Sequence, residues 1–256
     1  MALSARTRAT LALPGALLLT LFFALPVIAI AVDALGEGSS AFGRVIATPG
    51  FWSALAGSAA LTLVAAIVST LAGLGVALHL SRLSPRPVAY GFILGYGRAG
   101  LVTQLLAYAG LDAATIGGAL FTPVGLAFAS SYYLIPRVVI GMLPVLINFD
   151  RAQLAAAESV GATPSQAFRQ ILLPQVAGPL VAAFCLVAAV VFGAYGTALA
   201  LVGTQLAILP LRLYSLISET GSDFPAAAAL ALLITAACSA FITAGEWVGS
   251  RHERYL

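Results

Sequence analysis

The chain has 256 residues, 61% of them hydrophobic and 8% charged, and a mean hydropathy of +1.04. Average proteins carry about 25% charged residues, and a soluble core this apolar would leave the surface without polar cover. A soluble enzyme, a disordered chain and a disulfide scaffold are excluded, and an integral membrane protein is indicated. The net charge of +3 comes from twelve basic residues, all Arg, against nine acids. The Arg residues are scattered singly between apolar runs, not gathered in the stripe that nucleic acid requires. Without Lys the chain cannot form a P-loop, which needs that side chain at the β/γ-phosphates.

A helix needs about 20 largely apolar residues to cross about 30 Å of hydrocarbon. The first span is expected at Leu11–Val32, behind Arg6 and Arg8. Its apolar run is longer than the ~7–15 residues of a signal peptide, so Ala29-Ile30-Ala31 is read as part of an uncleaved helix and not as a cleavage site. A polar stretch, Asp33–Pro49, follows. The second span is Phe51–Leu80, stopped by Pro85 and Pro87, which cannot continue a helix.

The third span is the weak one. Val88–Tyr96 is apolar, Arg98 interrupts, and Leu101–Leu111 resumes. The expected solution is a tilted helix of about Pro87–Leu106, distorted at Gly95–Gly100, with Arg98 shielded by protein or reaching water. The run Gly95-Tyr96-Gly97-Arg98-Ala99-Gly100 fits G-x-G-x-x-G but follows no strand and has no acid at the required distance, so it reads as tight turns at a helix end and not as a dinucleotide site.

The fourth span is Leu120–Ile147, containing Arg137, and the fifth is Pro174–Val202. A polar stretch with Arg212, Glu219 and Asp223 leads to the sixth, Pro225–Val248. With six spans, eight Arg fall on one face of the membrane and three on the other, setting Arg137 aside. Basic loops stay cytoplasmic, so both termini are expected there. Cys185 and Cys238 sit in apolar runs and read as small core residues. His79 and His252 are isolated, and no Ser/His/Asp or paired-carboxylate grouping occurs in a polar setting, so neither a metal site nor catalysis has candidate residues.

The segment between spans four and five carries the most information. Asp150 is placed to cap a helix over Ala152–Val160, and Gly161 stands where a left-handed residue ends it. Thr163 then caps a second helix, with Pro164 at its first position and Gln166 completing a capping box. Leu154, Ala157 and Val160 share a face, as do Ala167, Phe168, Ile171 and Leu172. A helix, a break and a second helix outside the bilayer suit docking into a groove of a partner.

This segment resembles the EAA loop of binding-protein-dependent ABC transporter permeases. That pattern is E-A-A, three residues, Gly, nine residues, I-x-L-P; Ala156, Ala157, Gly161, Ile171, Leu173 and Pro174 match at the right spacing, while Ala155 replaces the Glu and the nearest acid is Glu158. Phe121-Thr122-Pro123, Tyr132-Tyr133 with Pro136, and Phe192–Ala198 look like the same family's fourth and fifth helices. The chain is short of about 15 residues around the third span by comparison with that family, too few remaining to cross unaided.

The resemblance implies an all-α, polytopic fold of about six transmembrane helices, like a type I ABC importer permease. It implies residues 1–50 as an N-terminal helix with its periplasmic loop, and 51–250 as the permease core with a cytoplasmic coupling loop at 148–173. It implies a non-enzymatic inner-membrane subunit with no cofactor of its own, ATP and Mg being held by separate ATPase subunits. A second permease subunit, an extracytoplasmic solute-binding protein and the lipid bilayer are the other implied partners. The coupling residues are Ala155, Ala156, Ala157, Glu158, Gly161, Ile171, Leu173 and Pro174. Ser131, Tyr132, Tyr133, Arg137, Tyr195 and Thr197 are candidates for the translocation path, with helix packing the competing role for the small and hydroxyl residues and snorkelling for Arg137. The solute resembles those of spermidine/putrescine, iron, thiamine or phosphonate permeases. The alternatives are a non-transporting or degenerate assembly subunit, given Ala155 and the short third span, and a secondary transporter, which the absence of mid-span acids disfavours.

Overall fold

A computed structural model describes residues 14–15, 17–36, 40–81, 123–196, 198–199, 206–218 and 223–253. Every element among them is helical. The expected third span, with Arg98, lies outside the described residues, as do residues 1–13 and 254–256.

The elements are α1 (Leu25–Gly36), entered through a π-helical turn at Thr20–Ala24; α2 (Ser40–Ala47); α3 (Pro49–Ser81); α4 (Pro123–Asn148); α5 (Ala152–Ser159); α6 (Pro164–Ala167); a π-helical turn (Phe168–Leu172); α7 (Leu173–Phe192); α8 (Leu209–Ser218); and α9 (Phe224–Glu253). Four helical runs are long and apolar enough to cross a membrane: Leu17–Gly36, Pro49–Ser81, Pro164–Phe192 and Phe224–Ser250. The pair Tyr133–Asn148 and Ala152–Ser159, which meet at a 62° bend, makes a fifth among the described residues when counted as one broken span. The chain is therefore a multi-pass, all-α membrane protein.

Three boundaries differ from the sequence expectation. The polar stretches Asp33–Pro49 and 203–223 are not simply loops. Each contains a short amphipathic helix, α2 and α8, whose apolar residues Ala41, Val45, Leu209 and Leu211 are buried. The helix of the fifth span does not begin at Pro174: α6, the π turn and α7 are one continuous 29-residue helix, Pro164–Phe192. Pro174 fits near the start of α7 because a proline there removes no bond that the π turn has not already rearranged. That helix also ends at Phe192, ten residues before Val202, where the Gly193 N–H closes the last turn onto the Ala189 carbonyl at 3.2 Å.

The helices pack in pairs. α3 lies along α4, and α7 packs most extensively on α9 and also against α3 and α4. One core joins α3, α4 and α7 through Leu61, Leu134, Val138, Met142, Val187 and Val191; a second joins α1, α2, the start of α3, α8 and α9 through Ala34, Val45, Phe51, Leu209 and Leu230. Close approach depends on missing side chains. A Cβ on Gly73 of α3 would lie 2.5 Å from Val138 Cβ, and one on Gly245 of α9 would lie 2.7 Å from Cys185 Cβ. The end of α7 is less crowded: a Cβ on Gly193 would meet Cys238 Sγ at an ordinary 3.5 Å, and one on Gly196 would meet nothing among the described residues within 4 Å. Cys185 and Cys238 are free thiols, partly buried in this interface. α1 stands apart. Leu19, Phe22 and Phe23 are exposed and only Ala34 is buried, as a helix facing hydrocarbon requires.

Candidate functional site: a helical hairpin at one end of the bundle

The α5–α6 hairpin is built by local signals. The Asp150 carboxylate accepts the Ala152 N–H at 3.0 Å, opening α5. At its other end the Ala162 N–H reaches the Ala157 carbonyl at 3.0 Å and the Gly161 N–H reaches Glu158 at 3.0 Å. This pair is a Schellman closure, with the following residue left-handed. That residue is Gly161, at φ +91, the one described position with a positive φ. The chain then re-enters helix through a complete capping box. The Gln166 N–H donates to Thr163 Oγ1 at 3.3 Å and the Thr163 N–H to Gln166 Oε1 at 2.8 Å, with Pro164 at the first helical position.

The base of the hairpin is tied to the bundle. Arg151 donates to the Ser81 carbonyl at the C-terminal end of α3. Gln175 of α7 donates to Gln153 of α5 at 2.6 Å. Phe149, Leu154 and Phe168 pack on the main core, and Leu172 is buried in it. Leu78, Ser81, Phe149, Arg151 and Leu154 surround a recess of about 90 Å³ where α3, α4 and α5 meet.

The tip faces outward. Ala155, Ala156, Glu158, Gly161 and Pro174 are exposed; Ala157, Ile171 and Leu173 are half-buried. Val160 is 86% exposed, so of the face Leu154–Ala157–Val160 only the first two turn into the chain. The hairpin thus presents small side chains and one apolar branched residue with nothing from the described chain covering them. The motif residues converge here, on the α5 surface and at the junction of hairpin and span five.

The path candidates are dispersed. Ser131 is buried between α3 and α4, donating to the Ala127 carbonyl at 2.9 Å and accepting from Ser69 at 3.4 Å. Tyr133 is half-buried on the same helix, and its hydroxyl has no hydrogen-bond partner among the described residues, as is true of the Thr62 and Thr70 hydroxyls on α3. These groups form a polar seam along the α3–α4 contact. Arg137 is exposed and lines a cleft of about 320 Å³ between α4, α7 and α9, shared with Glu246. Tyr195, just past α7, stacks on Tyr214 of α8 with ring centroids 5.7 Å apart. Thr197 and the side chain of Tyr132 lie outside the described residues.

The opposite end of α3 carries groups that sequence reasoning missed. At about 1.5 Å per residue, this 33-residue helix places Pro49 some 50 Å from Ser81. There Arg44 of α2 grips Asp223 at two points, 3.2 and 3.1 Å. Asp223 also caps α9, accepting the Ala226 N–H at 3.0 Å. The Arg44 hydrogen bonds, and then the Ala226 N–H, hold the Asp223 carboxyl below its ordinary range. Ser58 of α3 accepts the Leu209 N–H at 2.8 Å and so fixes the start of α8. The signal available in the sequence was the apolar 3.6-residue periodicity of 209–216 within a stretch read as polar.

Residues 90–254 match the family described as binding-protein-dependent transport system inner membrane component. A chloroplastic sulfate permease of Chlamydomonas reinhardtii is 29% identical over 189 residues, covering 67% of this chain and 50% of that protein. A sulfate transport system permease protein of Salmonella typhimurium is 30% identical over 137 residues, covering 52% of this chain and 49% of that protein. The chain thus spans about half the length of these curated relatives. Its fold is that of a chain in the crystal structure of a bacterial alginate ABC transporter in complex with a pentasaccharide-bound periplasmic protein, with a TM-score of 0.70 and 14% identity over 96% of this chain and 94% of that one. On the family match to well over half of its length, and on the hairpin whose capping and spacing led to the same place, the chain belongs to the family of binding-protein-dependent transport system inner membrane components.

Proposed function

We propose that the chain is the membrane-spanning permease subunit of an ATP-driven ABC importer, paired with a second permease subunit in the bacterial inner membrane with both termini cytoplasmic. The observation that carries this reading is the α5–α6 hairpin: a rigid, twice-capped element, tied at its base to α3 and α7, with Ala155, Ala156 and Val160 uncovered at its surface. Small side chains on a short helix let the backbone sit deep in a groove, and the ATPase subunit is the partner that supplies one. ATP and Mg belong to that subunit, and a solute-binding protein delivers cargo on the far side. The names of the sulfate permeases among the relatives support a small inorganic oxyanion as the solute.

Mechanistically, the hairpin carries no chemistry. When the ATPase subunits close, α5 is displaced. Because α6 runs without a break into α7, the displacement passes directly to span five, and through Arg151–Ser81 to span two. Packed helices move as units, so the cavity between the permease subunits switches its open side. The Ala155 position removes any ion pair that a Glu there would make, so docking rests on shape and on the exposed apolar tip.

The test is a cysteine at Ala156, in a variant with Cys185 and Cys238 replaced by Ala, co-expressed with the partner ATPase carrying a cysteine in its groove. Cross-linking that follows the nucleotide state, with ATP-driven uptake in proteoliposomes that the cross-link arrests, is the expected result. Full uptake with the hairpin locked, or no association with an ATPase subunit, overturns the reading.

A further inference from the structure

We propose that the cavity at the end of the bundle remote from the hairpin is an anion-receiving site built on Arg212. The proposal rests on the importer reading above and adds to it a place and a chemistry for the solute. The cavity is about 440 Å³, room for a small hydrated anion. Its walls are the first turn of α3 (Gly50, Ser53), the residues leading into α8, and one face of α8 (Leu211, Arg212, Ser215, Ser218).

Four features favour negative charge here. Among the described residues no Asp or Glu lines the cavity. Arg212 lies with its guanidinium against the backbone of Gly50, where a Cβ would stand 3.6 Å from Cζ. The nearest described acid is Asp223, which shares a smaller adjoining recess with Arg44 and Arg212. Asp223 is bound at two points by Arg44, and Arg212 has no carboxylate partner among the described residues. The first turn of α3, the positive end of a 33-residue helix dipole, borders the same space through Gly50 and Ser53. A guanidinium offers a planar fork of donors that matches an oxyanion. The hydroxyls of Ser53 and Ser215 now donate to the Gly50 and Arg212 carbonyls, at 3.0 and 2.9 Å; rotation about one bond turns either toward a ligand.

The location fits the direction of import. α3 spans from this cavity to Ser81, where the hairpin is tied, so the site and the coupling element are on opposite membrane faces. A positive mouth raises the local concentration of an anion released there.

The experiment uses full-length permease, reconstituted with its ATPase, carrying Cys185→Ala, Cys238→Ala and Ser215→Cys. The rate of modification by an anionic methanethiosulfonate is compared with that by a cationic one, with and without millimolar inorganic sulfate or molybdate. One guanidinium a few ångströms from the thiol is expected to favour the anionic reagent by about tenfold or more. Sulfate or molybdate should slow it, Arg212→Gln should abolish both effects, and Arg212→Lys should restore the charge preference. Equal rates for the two reagents, or no protection by either oxyanion, overturn the site. Protection that phosphatidylglycerol gives and the free oxyanions do not also overturns it, in favour of a lipid headgroup. ATP-driven sulfate uptake in the same vesicles separates the two readings: uptake without protection refutes the site and leaves the importer, and protection without any ATP-driven uptake does the reverse.

Discussion

Replacing Gly161 isolates the mechanical role of the hairpin from its packing. The residue is exposed, its φ is +91, and a Cβ built on it meets nothing within 4 Å. Within the described chain a substitution therefore acts through backbone energy and not through packing. A left-handed conformation costs an L-residue about 1–2 kcal/mol, and more when it is β-branched. Asn tolerates the region best, so the series Gly, Asn, Ala, Val should rise from zero through a few tenths and about 1 kcal/mol to roughly 2 kcal/mol. The last value enlarges the population of opened or reshaped hairpin about 30-fold. Because α5 is a short local unit, this opening is sub-global, and thermal unfolding of the bundle should shift little. The ratio of solute moved to ATP hydrolysed, measured in proteoliposomes, should fall in the order of the series. Equal coupling ratios for Gly161→Val and the unaltered protein would refute the reasoning. So would a Val variant whose loss of coupling is matched by a large fall in the melting temperature, because the damage would then be global.

Gly245→Leu should destabilise the α7–α9 pair by about 2–3 kcal/mol through overpacking, since even a Cβ would lie 2.7 Å from Cys185 Cβ and 3.2 Å from Ala182 Cα; Gly75→Ala, with nothing within 4 Å, is the control, and similar melting temperatures for the two variants would contradict the packing account. Asp223 has a lowered folded-state pKa, so its stabilising contribution is complete above the ordinary carboxylate range and is lost as pH falls through the depressed value. Asp223→Asn should remove this pH dependence and, because the ion pair with Arg44 is over a third exposed on both sides, cost no more than about 1 kcal/mol at neutral pH; an unchanged acid limb of the stability curve would rule the pair out. Reporter fusions at the two termini should both read cytoplasmic, and opposite locations would rule out an even number of spans.

What the sequence determined by itself were the features that depend on neighbours along the chain. Hydrophobic runs of membrane length located α1, α3, α4, α7 and α9, because a backbone in hydrocarbon must satisfy its own hydrogen bonds and so becomes helix wherever the run is long enough. Asp150, Gly161, Thr163 and Gln166 act over three or four residues, and their capping roles were legible for that reason. The tertiary structure decided what depends on distant partners. It showed that α6 continues into α7, a choice between a loop and a lever that Pro174 alone left open. It turned Ser131 toward Ser69 and gave the Tyr133 hydroxyl no partner among the described residues, whereas the sequence could say only that hydroxyls on α4 avoid lipid. It placed the tight helix contacts at Gly73 and Gly245 in preference to Gly193 and Gly196, because the crossing point of two helices is set by the bundle and not by the residue. And it gathered Arg44, Asp223 and Arg212, from three separate segments, at the end of α3. A single charge in a polar stretch has no readable partner in the sequence; it acquires one when the fold brings another chain segment within 4 Å, as it does for Arg44, and Arg212 stands out because the fold brings it none among the described residues.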